Sequence, residues 1–303
     1  MLMVSKLSFG IWVPPATLFP EIFERWKLIE DLGFDSIWNI DHFVNPIQAK
    51  MSPWFECWTS LAALAVTTNR VRIGTMVTNI IYRNPAVIAK QAVTIDHISN
   101  GRFTLGIGAG SSSDLSHPMT GVDLWSKKER VERLQEIVEI YNLMLSQEVS
   151  SYQGKHYKVT DAVMIPPPLQ KPRPPLTIAA GGPKALKLAA TYADNWNYLP
   201  PFGLTAEQAF EETRQRNEKV TQFAIELGRD PDSIGRSLFI GWTKERPFDS
   251  KDAFIEFVNQ YREIGITEFH CGFWTEQLGD PLHKISSIKM LEEIAQEAIP
   301  ELR

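Results

Sequence analysis

Apolar positions along the chain switch repeatedly between two periods. Short runs rich in β-branched and aromatic residues, at 7–12, 36–39, 71–77, 102–107, 176–179, 195–198, 237–241 and 268–272, read as strands. Between them apolar residues recur at helical spacing, as Ile22, Trp26, Ile29 and Leu32 do, and predict helices over 22–32, 58–67, 85–98, 127–145, 184–192, 206–227, 251–263 and 285–298. Gly33 sits where a helix C-terminus favours glycine, and Asn84-Pro85 pairs an N-cap residue with a first-turn proline. Eight strand–helix units in succession predict a closed (β/α)8 TIM barrel. An open doubly wound sheet is the alternative, but no Gly-x-Gly-x-x-Gly turn follows the first strand. Residues 149–164 break the rhythm, alternating like a hairpin before Pro166-Pro167-Pro168, Pro172, Pro174 and Pro175. Regular alternation resumes afterwards, so this segment reads as an excursion before strand five of a single domain, 1–303.

Composition narrows the function classes. The chain has 303 residues, with 31 Lys plus Arg against 36 Asp plus Glu, a net charge of −5. That mild acidity is unlike the basic footprint of a nucleic-acid binder. Cys57 and Cys271 form no disulfide framework and suit a reducing cytosol. The short apolar stretch within residues 1–15 is broken by Pro14-Pro15, and no apolar run reaches membrane-spanning length. The expectation is a soluble, cytoplasmic protein without nucleic-acid or membrane partners.

In barrels of this kind chemistry sits in the loops after the strands. After strand two, Asp41-His42 sets an imidazole beside a carboxylate. This is a candidate acid–base group, or else a turn-capping aspartate with a packing histidine. After strand three, Thr78 and Asn79 are polar with no capping duty assigned by the pattern. After strand four, Gly108, Gly110 and Ser111 open a glycine- and serine-rich loop that lets a flat ligand or a phosphate approach the backbone, or that is only a flexible connector. After strand five, Ala180, Gly181, Gly182 and Pro183 lead into a helix with Lys184 in its first turn. An anion there would rationalise a cation that otherwise opposes the helix dipole; a solvated lysine is the bland alternative. The six histidines include no His-x-His or His-Glu-x-x-His, so no metal is expected, and no Gly-x-Ser-x-Gly elbow is present.

Several motifs in order carry a resemblance. Glu30-Asp31-Leu32-Gly33-Phe34-Asp35-Ser36-Ile37-Trp38 with Asp41-His42-Phe43, then Asn69-Arg70-Val71-Arg72-Ile73-Gly74-Thr75, Tyr82-Arg83-Asn84-Pro85, Ile95-Asp96-His97-Ile98-Ser99-Asn100-Gly101-Arg102, Gly106-Ile107-Gly108-Ala109-Gly110 and Ala189-Ala190-Thr191-Tyr192-Ala193-Asp194-Asn195-Trp196-Asn197 resemble signatures of the luciferase-like monooxygenase superfamily. The pattern is most similar to its F420-dependent oxidoreductase branch.

The resemblance implies a deazaflavin, coenzyme F420, with flavin mononucleotide (FMN) as the alternative, held at the strand C-termini. By the same likeness Met76-Val77 would form a cis peptide behind the ring, and Thr78 would run along it. Asp41, Gly108, Ser111, Ala180, Gly181, Gly182 and Lys184 would contact the cofactor, and His42 would carry the proton that accompanies hydride transfer. Trp12, Trp242 and Trp274 would line a pocket for a small organic substrate. A partner reductase and a homodimer are further implications. The rival functions are an FMN-dependent monooxygenase fed reduced flavin and a non-catalytic flavin-binding barrel. Two departures stand out: Ser111 replaces a glutamate or aromatic residue of relatives, and Asp194-Asn195-Trp196 replaces Asp-Gly-Trp, where Asn195 is expected to adopt the left-handed conformation.

Overall fold

The computed structural model describes residues 6–46, 53–273, 285 and 287–303. Trp274, one of the expected pocket residues, and His283 lie outside the described residues.

The strands are β1 (Ser8–Trp12), β2 (Ser36–Asn39), β3 (Arg72–Thr75), β4 (Thr78–Asn79), β5 (Phe103–Gly108), β6 (Val149–Gln153), β7 (Lys158–Val163), β8 (Leu176–Ala179), β9 (Asn195–Tyr198), β10 (Gly235–Ile240) and β11 (Glu268–Gly272). One sheet runs in the order β3-β2-β1-β11-β10-β9-β8-β5-β4, and β3 also pairs with β5, so the order returns on itself. The fold class is the (β/α)8 TIM barrel. The helices α1 (Phe19–Asp31), α2 (Cys57–Thr67), α3 (Pro85–Ile98), α4 (Lys127–Ser146), α5 (Pro183–Tyr192), α6 (Ala206–Glu226) and α7 (Lys251–Glu263) alternate with the strands. The excursion is an antiparallel hairpin of β6 and β7.

The chain divides into two compact units, Met1–Pro14 with Glu24–Trp38 and Ile178–Arg303, and Pro15–Phe23 with Asn39–Thr177. In the first, β1 lies parallel between β2 and β11, with Gly10 level with Ser36 and His270. A Cβ on Gly10 would stand 2.3 Å from Ser36 Oγ and 2.7 Å from both His270 Nδ1 and Trp38 Nε1, so only glycine admits all three side chains. Trp38 Nε1 donates to Ser36 Oγ at 2.8 Å, and its ring meets the His270 ring edge-on at 4.9 Å. Burial drives the His270 imidazole down to about 3, so it is neutral at ordinary pH.

Two expectations fail in this unit. Asn195 does not take the left-handed conformation; Asn100 and Asp161 are the non-glycine residues with positive φ among the described ones. Asn195 starts β9 as an extended residue, donates its amide to Glu268 and is aligned with Gly235. A Cβ on Gly235 would lie 3.2 Å from Asn195 Cγ, so the room comes from the neighbouring strand. The last predicted helix, over 285–298, begins instead at Ile288, behind the Ser287 N-cap, as α8 (Ile288–Glu293). It widens to a π-helical stretch, Ile294–Ala298, directly before Ile299–Leu302. Pro300 has no N–H for the regular ladder, which accounts for the change of pitch there.

In the second unit, the strand predicted over 71–77 is two pieces, β3 and β4, separated by a cis Met76–Val77 peptide. Gly106 in β5 makes that approach sterically feasible: a Cβ there would stand 1.9 Å from the Thr75 carbonyl oxygen. Thr75 Oγ1 donates to Gly106 O at 2.7 Å and accepts from the Gly106 amide at 3.2 Å and from Thr78 Oγ1 at 2.9 Å. Asn84 caps α3 ahead of Pro85, as the pattern predicts. The hairpin is anchored through Glu136 of α4, whose carboxylate accepts the amides of Lys155, His156 and Tyr157.

Candidate proton-transfer and cofactor site

The residues after β2 are held by buried charge. Asp41 is fully enclosed and is gripped by both terminal nitrogens of Arg83, one to each carboxylate oxygen, the NH2–Oδ1 contact being 3.0 Å. The Asn79 amide adds a bond to Asp41 Oδ2 at 3.0 Å. Arg83 also reaches Glu56, which caps α2 by accepting the Trp58 and Thr59 amides at 3.1 and 2.7 Å. Burial pushes the Asp41 carboxyl above its ordinary range, and Arg83 and Asn79 offset only part of that. Both Asp41 oxygens are thus engaged by protein donors, and the residue acts as a fastener between the end of β2, β4 and α2.

His42 stands on that fastener. Its ring is partly open, with 19% of the side chain exposed, and Nδ1 lies 3.1 Å from Asp114 Oδ1. Nε2 has no protein partner among the described residues. Trp54 Nε1 donates to the His42 carbonyl at 2.9 Å, holding the backbone from behind. Asp114 is itself pinned. It accepts Asn79 Nδ2 at 3.1 Å and the Tyr82 hydroxyl on one oxygen, and the Ser116 amide at 2.8 Å on the other. Ser116 Oγ returns the contact by accepting the Phe43 amide at 2.9 Å. Burial alone would raise the Asp114 carboxyl, but His42, Tyr82 and Ser116 outweigh it and hold it well below the usual carboxylate range.

The other expected cofactor contacts of this unit surround β4 and β5. Met76 is buried and Val77 half-buried at the cis peptide, which lies where the resemblance placed it. Thr78 is buried with its hydroxyl donated to Thr75. Gly108 ends β5 and is paired with Asn79. Gly110 has φ +70, and a Cβ there would stand 2.8 Å from Asn79 Oδ1. Ser111 is exposed, its hydroxyl 2.8 Å from that of Ser113.

The remaining expected residues belong to the first unit. Ala180 O accepts the Trp196 indole N–H at 2.8 Å, and the Ala180 amide donates to Asn197 O at 3.1 Å. Gly182 is the N-cap of α5, with no side chain capping the first turn. No atom stands within 4 Å of where a Gly182 Cβ would be, so the ground beside these amides is open. Lys184 is exposed, without an ion pair among the described residues. Such a turn suits an anionic group. Trp12 and Trp242 both pack on Phe239, at ring distances of 5.8 and 6.4 Å; Trp12 is fully buried and Trp242 half-buried.

The sequence pattern singled out neither Asp114 nor Glu56 and Ser116. The partners that tie them to the site are remote in the chain, as with Phe43 and Ser116, which are 73 residues apart. Among the described residues no cluster of three or more His, Cys, Asp or Glu side chains could hold a metal ion. No described helix is long and apolar enough to cross a membrane.

Among solved structures, an F420-dependent secondary alcohol dehydrogenase in complex with an F420–acetone adduct matches with a TM-score of 0.82 and 20% identity, over 98% of this chain and 99% of that one. The coenzyme F420-dependent tetrahydromethanopterin reductase of Methanopyrus kandleri matches with a TM-score of 0.78 and 19% identity, over 99% and 100%. At those identities the likeness shows the fold. By sequence, an F420-dependent glucose-6-phosphate dehydrogenase of Amycolatopsis mediterranei (strain U-32) is 35% identical over 215 residues, 66% of this chain and 63% of the relative. A 5,10-methylenetetrahydromethanopterin reductase of Archaeoglobus fulgidus is 34% identical over 188 residues, 62% and 52%. The chain therefore spans less than two thirds of the length of these curated relatives. Residues 7–242 match the sequence model of the luciferase-like monooxygenases, and the chain belongs to that family.

Proposed function

We propose that the chain is an F420-dependent oxidoreductase that transfers a hydride between the deazaflavin and a small organic substrate, with His42 carrying the accompanying proton. The relatives named above support the cofactor, F420 rather than FMN. The observation that carries the reading is the partly exposed His42 ring, whose Nδ1 lies 3.1 Å from the Asp114 carboxylate. Each unit by itself offers a fitting feature: in one, the partly open His42 imidazole suits a proton-transfer role, and in the other, the uncapped first-turn amides with Lys184 suit an anionic group.

When bound, F420 supplies the hydride acceptor or donor. This chain's residues supply the rest. Oxidation of an alcohol to a carbonyl releases a hydride from carbon and a proton from oxygen, and His42 Nε2 takes that proton; in the reverse direction the imidazolium returns it. The Asp41–Arg83–Glu56 fastener holds the loop so that the imidazole position is set before substrate arrives. By the family resemblance Ser111 falls where some relatives carry a glutamate and others an aromatic residue, so His42 is the acid–base residue of this reading.

The test is turnover of oxidised F420 with a panel of secondary alcohols and sugar phosphates, using wild type and His42→Ala. Loss of turnover by about 10²–10⁴-fold with cofactor affinity unchanged is expected. Unchanged turnover removes His42 from the reaction. Oxygen consumption with reduced FMN and none with F420 would favour the monooxygenase reading, and tight binding without turnover the non-catalytic one.

A further inference from the structure

Asp114 is a buried carboxylate, 1% exposed, whose two oxygens are divided between separate tasks. Oδ2 is occupied by Asn79 Nδ2 and the Tyr82 hydroxyl, and these two donors fix the plane of the carboxylate. Oδ1 receives the Ser116 amide and faces His42 Nδ1 at 3.1 Å. A carboxylate held ionised at this distance from a ring nitrogen favours a proton on that nitrogen. In the neutral imidazole the second nitrogen is then the acceptor.

We propose that Asp114 is the positioning residue for His42: it keeps the proton on Nδ1, so that Nε2 is the atom that exchanges a proton with substrate. The inference rests on the reading of His42 as the proton carrier. The residue has no contact with substrate in this role and acts only through the imidazole. Three contacts make the arrangement stiff. The Phe43 and Val44 amides bind Ser116 Oγ at 2.9 and 3.4 Å, and the Phe43 ring stacks on Tyr82 at 4.4 Å. The loop that carries His42 and the loop that carries Asp114 therefore cannot slide apart without breaking several bonds. A carboxylate serving only to close its own loop would need the Ser116 amide alone. Among the described residues, Asp114 faces the ring directly and Tyr82 reaches it through Asp114, while Asp41, next in the chain, is paired with Arg83 and Arg83 with Glu56; the last three are unchanged in the variants below.

The test is nitrogen-detected NMR of the histidine rings in the protein without cofactor, with the His42 signals identified by their loss in His42→Gln. In the wild type His42 is expected as the Nδ1–H tautomer. In Asp114→Asn the preference for the Nδ1–H tautomer weakens. In Tyr82→Phe the carboxylate loses a donor, carries more charge toward the ring, and the preference for the Nδ1–H tautomer strengthens. An Asp114→Asn protein that keeps its near-ultraviolet circular dichroism while His42 keeps the wild-type tautomer ratio overturns the proposal. Should Asp114→Asn fail to fold, Tyr82→Phe decides alone: a stronger Nδ1–H preference supports the pairing, and an unchanged or weaker one overturns it. Because no cofactor is present, a normal His42–Asp114 coupling in a protein that ignores F420 would sink the proposed function and leave the pairing standing.

Discussion

Replacing Arg83 by methionine isolates the bond that organises the candidate site. The Asp41 side chain is 0% exposed and that of Arg83 10%, so the pair sits where water screens little. Without the guanidinium, Asp41 Oδ1 loses its donor and Oδ2 keeps only the Asn79 amide. Removing one partner of a buried pair costs about 3–5 kcal/mol, because a desolvated charge is left behind. The Arg83–Glu56 contact adds little: Glu56 is 36% exposed, which places its pairing at roughly 1 kcal/mol or less, and it keeps its two backbone amides. The loss is capped by protonation, since the Asp41 carboxyl already lies above its ordinary range and would rise further. Urea unfolding followed by tryptophan fluorescence reads the change, in a cycle with Asp41→Asn and the double variant. Asp41→Asn/Arg83→Met should be more stable than Arg83→Met alone, because the orphaned charge is gone while the asparagine oxygen still accepts the Asn79 amide. A loss below about 1 kcal/mol in Arg83→Met, or a double variant no better than it, would refute the reasoning.

Three further outcomes follow from particular residues. His270 is neutral in the folded protein with its imidazole held down at about 3, whereas an unfolded histidine titrates near 6.5. Its contribution to stability is therefore complete above about pH 6.5 and drains away as pH falls toward the folded value, by about 1.4 kcal/mol per pH unit. His270→Leu should flatten the stability profile in that window by up to one proton, and an unaltered slope between the two proteins would contradict the assignment. Gly106→Ala places a Cβ 1.9 Å from the Thr75 carbonyl oxygen, a backbone atom that cannot step aside. A loss of more than about 3 kcal/mol, or insoluble protein, is expected on expression and thermal melting. Lys184→Ala should weaken F420 by about fivefold, the effect of roughly 1 kcal/mol for one charge near a helix terminus, and high salt should shrink the difference; equal dissociation constants in low salt would remove the lysine from the anion site.

The alternation of strands and helices was legible because each unit imposes its own period on the chain, and the main disagreements fall at ends. α1 starts at Phe19 rather than 22, since Pro20 is tolerated in a first turn. The π-helical stretch before Ile299 was not legible, because its residues keep an ordinary helical pattern. The break at Met76–Val77 came from the family resemblance alone; the apolar pattern runs through it without a mark. At the candidate site, Asp41-His42 was visible as a polar pair after a strand. That Asp41 is a buried fastener was not, because Arg83 reads locally as part of a polar turn before α3. Asp114 follows three serines in a loop, and only the fold delivers it to His42.

Hydride transfer by this chain requires that it bind a deazaflavin. Titrating the purified full chain with F420 and, in parallel, with FMN, each followed by the fluorescence of the added cofactor, addresses that directly. Saturable binding of F420 at least about tenfold tighter than FMN, which is about 1.4 kcal/mol, is the predicted result. Preference for FMN, or no saturation with either, would contradict it.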